Sequence, residues 1–119
     1  MDVPRFERRF FRSDNQVTRI GDGELGGKAQ GLLRVLEVVR GFPEFPGISV
    51  DIPRMVVLAT DLFDAFMEDN DLWELVEEDG VSDERIAHAF HRASFPARFA
   101  GDVRALAEEA TRPLAVRSS

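Results

Sequence analysis

The run Leu25-Gly26-Gly27-Lys28-Ala29-Gln30-Gly31-Leu32 constrains this chain more than any other segment. Its glycines disfavour helix. Yet Leu25, Ala29, Leu32, Leu36 and Val39 recur at spacings of three and four, the period of one helix face. Both tendencies are met if a glycine-rich loop gives way at or just after Gly27 to an amphipathic helix that stops near Gly41. Gly26 and Gly27 then allow another group to approach the backbone closely. The helix N-terminus adds unpaired N–H groups and a field that favours anions. Lys28 brings a cation to the same point, so Gly26, Gly27 and Lys28 are candidate phosphate-binding residues. The segment is not a Walker A loop, because GDGELGGKA lacks the closing Gly-Lys-Ser/Thr. It does not give the GxGxxG spacing of a dinucleotide fingerprint, and no clear strand precedes it.

The rest of the chain predicts what this helix packs on. Residues 1–20 interleave Phe6, Phe10 and Phe11 with Arg5, Arg8, Arg9 and Arg12 and read as an arm whose aromatics pack on the body. Residues 41–53 are rich in Pro and Gly and read as a connection, with a short extended piece at Ile48 and Val50. Met55-Val56-Val57-Leu58-Ala59 is continuously apolar, as in a strand covered on both faces. Thr60 or Asp61 is placed to cap a helix with Leu62, Phe63, Phe66 and Met67 inward. A short turn follows around Leu72 to Val76. Ser82 caps a further helix with Ile86, Ala87, Phe90 and Ala93 inward. Pro96 opens a last helix with Phe99, Val103, Leu106, Ala107 and Ala110 on one face. PLAVRSS, residues 113–119, reads as a closing strand tipped by Arg117, Ser118 and Ser119. The predicted class is α/β, with α+β as the alternative, and it has few strands for its helices. A strand ending at the last residue normally needs more chain for its neighbours, so a cut through a larger domain is expected.

Composition narrows the function classes. A formal net charge of -7 argues against general affinity for nucleic acid or anionic lipid. It leaves room for a small anion held by aimed N–H groups and one lysine. With no cysteine, disulfides, thiolate catalysis and cysteine–zinc sites are excluded for this sequence. No apolar stretch approaches the length of a membrane span, and the first residues lack a signal-peptide core. No nucleic acid or membrane partner is expected, and a cytoplasmic location is the default. Asp61 to Glu84 holds eleven acidic residues and no basic one. Asp64, Glu68, Asp71 and Glu74 fall largely opposite the apolar positions, so this run reads as a solvated face. It also lacks the ligand order of a calcium loop. His88 and His91, three apart, lack a third ligand and read as surface histidines.

Taken in order, LGGKAQGL, IPRMVVLATDLFDAFMEDNDL and PLAVRSS resemble the start of the nucleotide domain of the phosphoenolpyruvate synthase and pyruvate phosphate dikinase family. In that family a GGKxxxL segment precedes an IPxGF-type strand entry and a TTxAFxxF helix, and a VRSSA stretch comes later. Thr60, Asp61, Phe63 and Phe66 resemble the helix start, and Phe10, Arg12 and Arg19-Ile20-Gly21 resemble the lead-in of some branches. The resemblance covers residues 1–119 and implies the first subdomain of an ATP-grasp type domain. It implies ATP as cofactor, with Lys28 and Arg117 on its phosphates. It also implies Mg²⁺ with ligands outside this sequence, a phosphorylated histidine on a separate swivelling domain, and pyruvate or a related acceptor. On that reading this piece holds the nucleotide and does not complete the chemistry alone. IPRMVV departs from the more usual VPxGFV, which leaves the acceptor open. A different reading is a non-catalytic interaction or regulatory module that uses the acidic Asp61–Glu84 face.

Overall fold

The computed structural model describes residues 2–42, 44 and 46–118. Among these, two strands and five helices make a small, helix-rich mixed α/β protein. Strand β1 (Val17–Ile20) pairs in parallel with β2 (Met55–Leu58), in register from Val17 opposite Met55 to Ile20 opposite Leu58. Helix α1 (Gly27–Gly41) lies in the connection between them, as parallel pairing requires a long crossover. The other edge of β1 is occupied by the N-terminal arm. There the Arg19 N–H donates to Pro4 O at 2.9 Å and the Phe6 N–H donates to Arg19 O at 2.8 Å. Four further helices follow: α2 (Thr60–Asp69), α3 (Leu72–Glu77), α4 (Asp83–Arg92) and α5 (Ala97–Glu109).

Strand alternation sorts the core into two layers. Val17 and Val57 point one way and bury against Ala29, Leu33 and Leu36 of α1, with Val3 of the arm and Ile52. Ile20 points the other way and meets Phe6, Phe10, Leu62 of α2 and Ala105 of α5, with Val56 packed alongside. The sheet is thus covered on both faces, yet only across its middle. Leu58 is 46% exposed at the end of β2, so the uniform burial expected of MVVLA holds at Val57 and Ala59 alone. The radius of gyration is 17.5 Å. A compact domain of this length has about 13–14 Å, so the shape is elongated, 59 × 28 × 25 Å.

The expected helix over Leu25–Val39 begins at Gly27 and ends at Gly41. Its buried stripe is Ala29, Leu33 and Leu36, whereas Leu32 is 39% exposed. Adjacent leucines at 32 and 33 both fit a helical period, and the position of the sheet selects Leu33. The packed arm is found, but it also contains the unforeseen β1. Four residues that include Thr18 and Arg19 give too short an alternation to distinguish a strand from an arm. In α5 the buried residue is Ala105, and Ala107 faces solvent. Ser82 caps α4 as expected, its hydroxyl accepting from the Arg85 N–H at 3.2 Å. Pro43 and Phe45 of the predicted connection lie outside the described residues, as does Ser119.

The closing strand is corrected. Residues 113–118 form no strand and pair with none among the described residues. Leu114 is 49% and Val116 93% exposed, since the segment does not join the sheet. Its apolar alternation was a pattern without a neighbouring edge to satisfy its backbone.

Candidate functional site

The glycine-rich loop is fixed by a zipper between the two strand ends. After β1, residues 21–24 turn over the start of α2. The Ala59 N–H donates to Ile20 O at 2.9 Å and the Thr60 N–H donates to Glu24 O at 2.9 Å. In return Thr60 Oγ1 accepts from the Glu24 N–H at 3.0 Å, and Asp61 Oδ2 accepts from the Asp22 N–H at 2.8 Å. Thr60 and Asp61 were expected to cap their own helix. They cap the neighbouring loop instead, and the N-cap of α2 is Ala59 with no side-chain bond. Gly21 has a φ of +93°, and a Cβ there would lie 2.5 Å from Leu62 Cδ1. Both facts require glycine.

The Asp22 carboxylate closes the outside of the loop. It accepts from Arg19 Nη1 at 3.0 Å and from Arg5 Nη2 at 2.5 Å. The Arg19 bond first, and the Arg5 bond second, hold its carboxyl below the ordinary value of 3.8. A carboxyl lowered on folding stabilises the fold above its unfolded value. That stabilisation is lost as pH falls through the folded value. Asp22→Asn is therefore expected to lower stability near neutral pH, and the gap from wild type should shrink as pH drops below 3.8. Denaturant unfolding of both proteins across that range checks it. A gap independent of pH would assign the loss to packing.

Past this loop, Gly26 is the N-cap of α1 and offers no side-chain bond, and the first turn holds no acidic residue. The first free N–H groups of α1 therefore have no intrahelical partner. The Gln30 N–H returns to Gly26 O at 3.0 Å, and Gln30 Nε2 donates to Leu25 O at 2.6 Å, which fixes the entry of the chain. A Cβ at Gly27 would meet nothing within 4 Å, so open space lies against that backbone. Lys28 is exposed, and its Nζ donates to Ser118 Oγ at 3.1 Å across 90 positions of sequence. Arg117 is the residue before that contact. It is exposed and makes no hydrogen bond or ion pair with another described residue.

The structure therefore brings Gly26, Gly27, Lys28 and the Arg117–Ser118 segment to one end of α1. Sequence spacing shows neither the Lys28–Ser118 contact nor the zipper at Thr60 and Asp61. A concave space of about 470 Å³ lies along α1, lined by Glu24, Leu25, Gln30, Leu33, Arg34 and Glu37. Neither Lys28 nor Arg117 lines it, so the candidate site is the open end of the helix and not this groove. His88 and His91 are exposed on α4. Among the described residues no group of three His, Asp or Glu side chains is placed to hold a metal, including the acidic run. No helix among them is long and apolar enough to cross a membrane. Comparison of the chain with protein-family models, with curated proteins and with solved structures finds no match.

Proposed function

We propose that this chain is the nucleotide-binding part of an ATP-dependent phosphotransferase, built as the first subdomain of an ATP-grasp type domain. The observation that carries the reading is the 3.1 Å contact between Lys28 Nζ and Ser118 Oγ. It joins the two segments, LGGK and VRSS, on which the resemblance rests. Topology adds support. The α1 N-terminus follows the carboxyl end of β1, and open parallel sheets bind ligands outside the carboxyl ends of their strands.

When bound, ATP would supply the phosphoryl group, the cleaved nucleotide departing as leaving group; a histidine on a separate domain would accept it and hand it to pyruvate or a related acceptor. The residues of this chain bind and orient. Lys28 places its ammonium on phosphate oxygens, and Arg117 offers a planar fork to an oxygen pair. The open amides of α1 add donors that carry no charge of their own. Together they offset negative charge that grows on the transferred group. Mg²⁺ enters with the nucleotide, and its protein ligands belong to other parts of the parent protein.

Titration with ATP and Mg²⁺ tests the reading. Lys28→Ala and Arg117→Ala are each expected to weaken binding by roughly 10- to 100-fold, the value of one charge-assisted contact. Gly27→Ala adds a discriminator, because the free protein has room for the methyl group while a bound phosphate does not. It should keep its stability and lose affinity. Unchanged affinity after replacing both Lys28 and Arg117 would sink the assignment.

One observation favours the interaction-module reading. Phe63 and Trp73 stand edge to face at 5.9 Å on the acidic α2–α3 surface, and they are 53% and 40% exposed. A partner on that face changes Trp73 emission, whereas nucleotide at Lys28 leaves it unchanged.

A further inference from the structure

A second recess lies under the N-terminal arm, on the face of β1 that carries Ile20. Its volume is about 330 Å³, and Arg9, Arg12, Asn15, Thr18, Glu7 and Asp14 are among the residues that line it. Thr18 is 1% exposed, yet its Oγ1 has no hydrogen-bond partner. A buried hydroxyl without a partner costs about 1–3 kcal/mol, and valine fills the same strand position without that cost. This unpartnered hydroxyl, on a residue that lines the recess, is the observation that points to a ligand there.

The uncommitted groups around it are mostly donors. Arg9 spends its Nε on Glu7 at 2.8 Å, which leaves both terminal nitrogens. Arg12 faces Glu109 at 3.5 Å, and the Asn15 carboxamide has no partner among the described residues. Two carboxylates also line the recess. Arg9 neutralises Glu7, and Asp14 makes no hydrogen bond or ion pair with another described residue. The Arg54 guanidinium bonds only to backbone carbonyls of Phe10, Phe11, Ser13 and Asn15, so no acid offsets its charge.

We propose that this recess is a binding site for a phosphate-type oxyanion, free or carried on a small molecule. Thr18 Oγ donates from the floor and Arg9 and Arg12 close over it from the rim. The site is separate from Lys28, so it stands or falls independently of the nucleotide reading.

The test is calorimetric titration of the whole chain with inorganic phosphate, and in parallel with a small phosphate monoester, at fixed ionic strength. Saturable binding is expected, at least five-fold weaker in Thr18→Val and in Arg12→Gln and unchanged in Lys28→Ala. Thr18→Val should unfold at the same temperature as wild type or higher, which separates loss of a ligand contact from loss of fold. Binding of phosphate alone assigns a free-ion site, and binding of the monoester as well assigns a phosphorylated small molecule. Either supports the recess. The proposal is overturned if binding is absent, if chloride gives the same response, if Thr18→Val binds like wild type, or if Lys28→Ala abolishes binding. Absent binding leaves Thr18 with a buried water only.

Discussion

Replacing Arg54 with lysine is expected to lower the unfolding free energy by about 2–3 kcal/mol, the loss of one or two charged hydrogen bonds to backbone. One guanidinium here serves four carbonyls. Nη1 donates to Phe11 O at 2.9 Å, and Nη2 donates to Phe10 O and Asn15 O at 3.0 Å and also to Ser13 O. Nε reaches Asn15 O at 3.3 Å, and the group stacks 5.0 Å from the Phe10 ring centroid. The fork gathers the outward carbonyls around the 3-10 turn at Phe10–Arg12 and ties them to the entry of β2. A lysine ammonium keeps the charge but is a single point on a flexible stem, so it satisfies one or two of these carbonyls and not four. Phe10 is 2% exposed and belongs to the core on the α2–α5 face, so loosening the turn also loosens that core. Thermal unfolding should shift down by on the order of 10 °C. A shift of about 1 °C or less would mean that water replaces the guanidinium, and the clasp would not be a stabilising element.

Gly23→Ala should cost near the upper end of the 1–3 kcal/mol typical of overpacking. The added Cβ would lie 2.6 Å from Thr60 Oγ1 and 2.7 Å from the Asp61 backbone nitrogen. The second neighbour is main chain at the start of α2, so it cannot rotate away. Relief comes from lifting residues 21–24 off α2, which breaks the bonds at Thr60 and Asp61. Because that loop leads into Gly26, the α1 N-terminus moves too. Nucleotide affinity should therefore fall together with stability, unlike in Gly27→Ala. Gly31→Ala is the control: a Cβ there meets nothing within 4 Å, and alanine in a helix interior should add about 0.5–1 kcal/mol. Denaturant unfolding of the three alanine variants reads the pattern. Equal stability of Gly23→Ala and wild type would show that the loop is not clamped to α2.

Helix placement was largely legible because it depends on short-range order. Ser82, Pro96 and the apolar spacings sit within a few residues of the elements they control. The partners of polar side chains were not legible. Thr60 and Asp61 look like caps of the helix that they begin, and local sequence cannot show that another loop reaches them first. Lys28 and Arg117 were found as types suited to phosphate. That Lys28 meets the segment beside Arg117 depends on the fold of the residues between them. Nothing near Arg54 in sequence reveals the four carbonyls of an earlier turn that it serves.

The sequence by itself determined the helix-rich mixed class, a start of α1 at or just after Gly27, a strand within residues 54–60, and the absence of any cysteine-based chemistry. Periodicity and side-chain inventory are local properties of the chain. Only the tertiary structure decided that Val17–Ile20 is a strand, that residues 113–118 are not, and that Leu33 rather than Leu32 is buried. A strand exists only where another backbone is present to pair with it, and a helix face is buried only where another surface covers it. Those conditions are met or missed in three dimensions, between residues far apart in sequence.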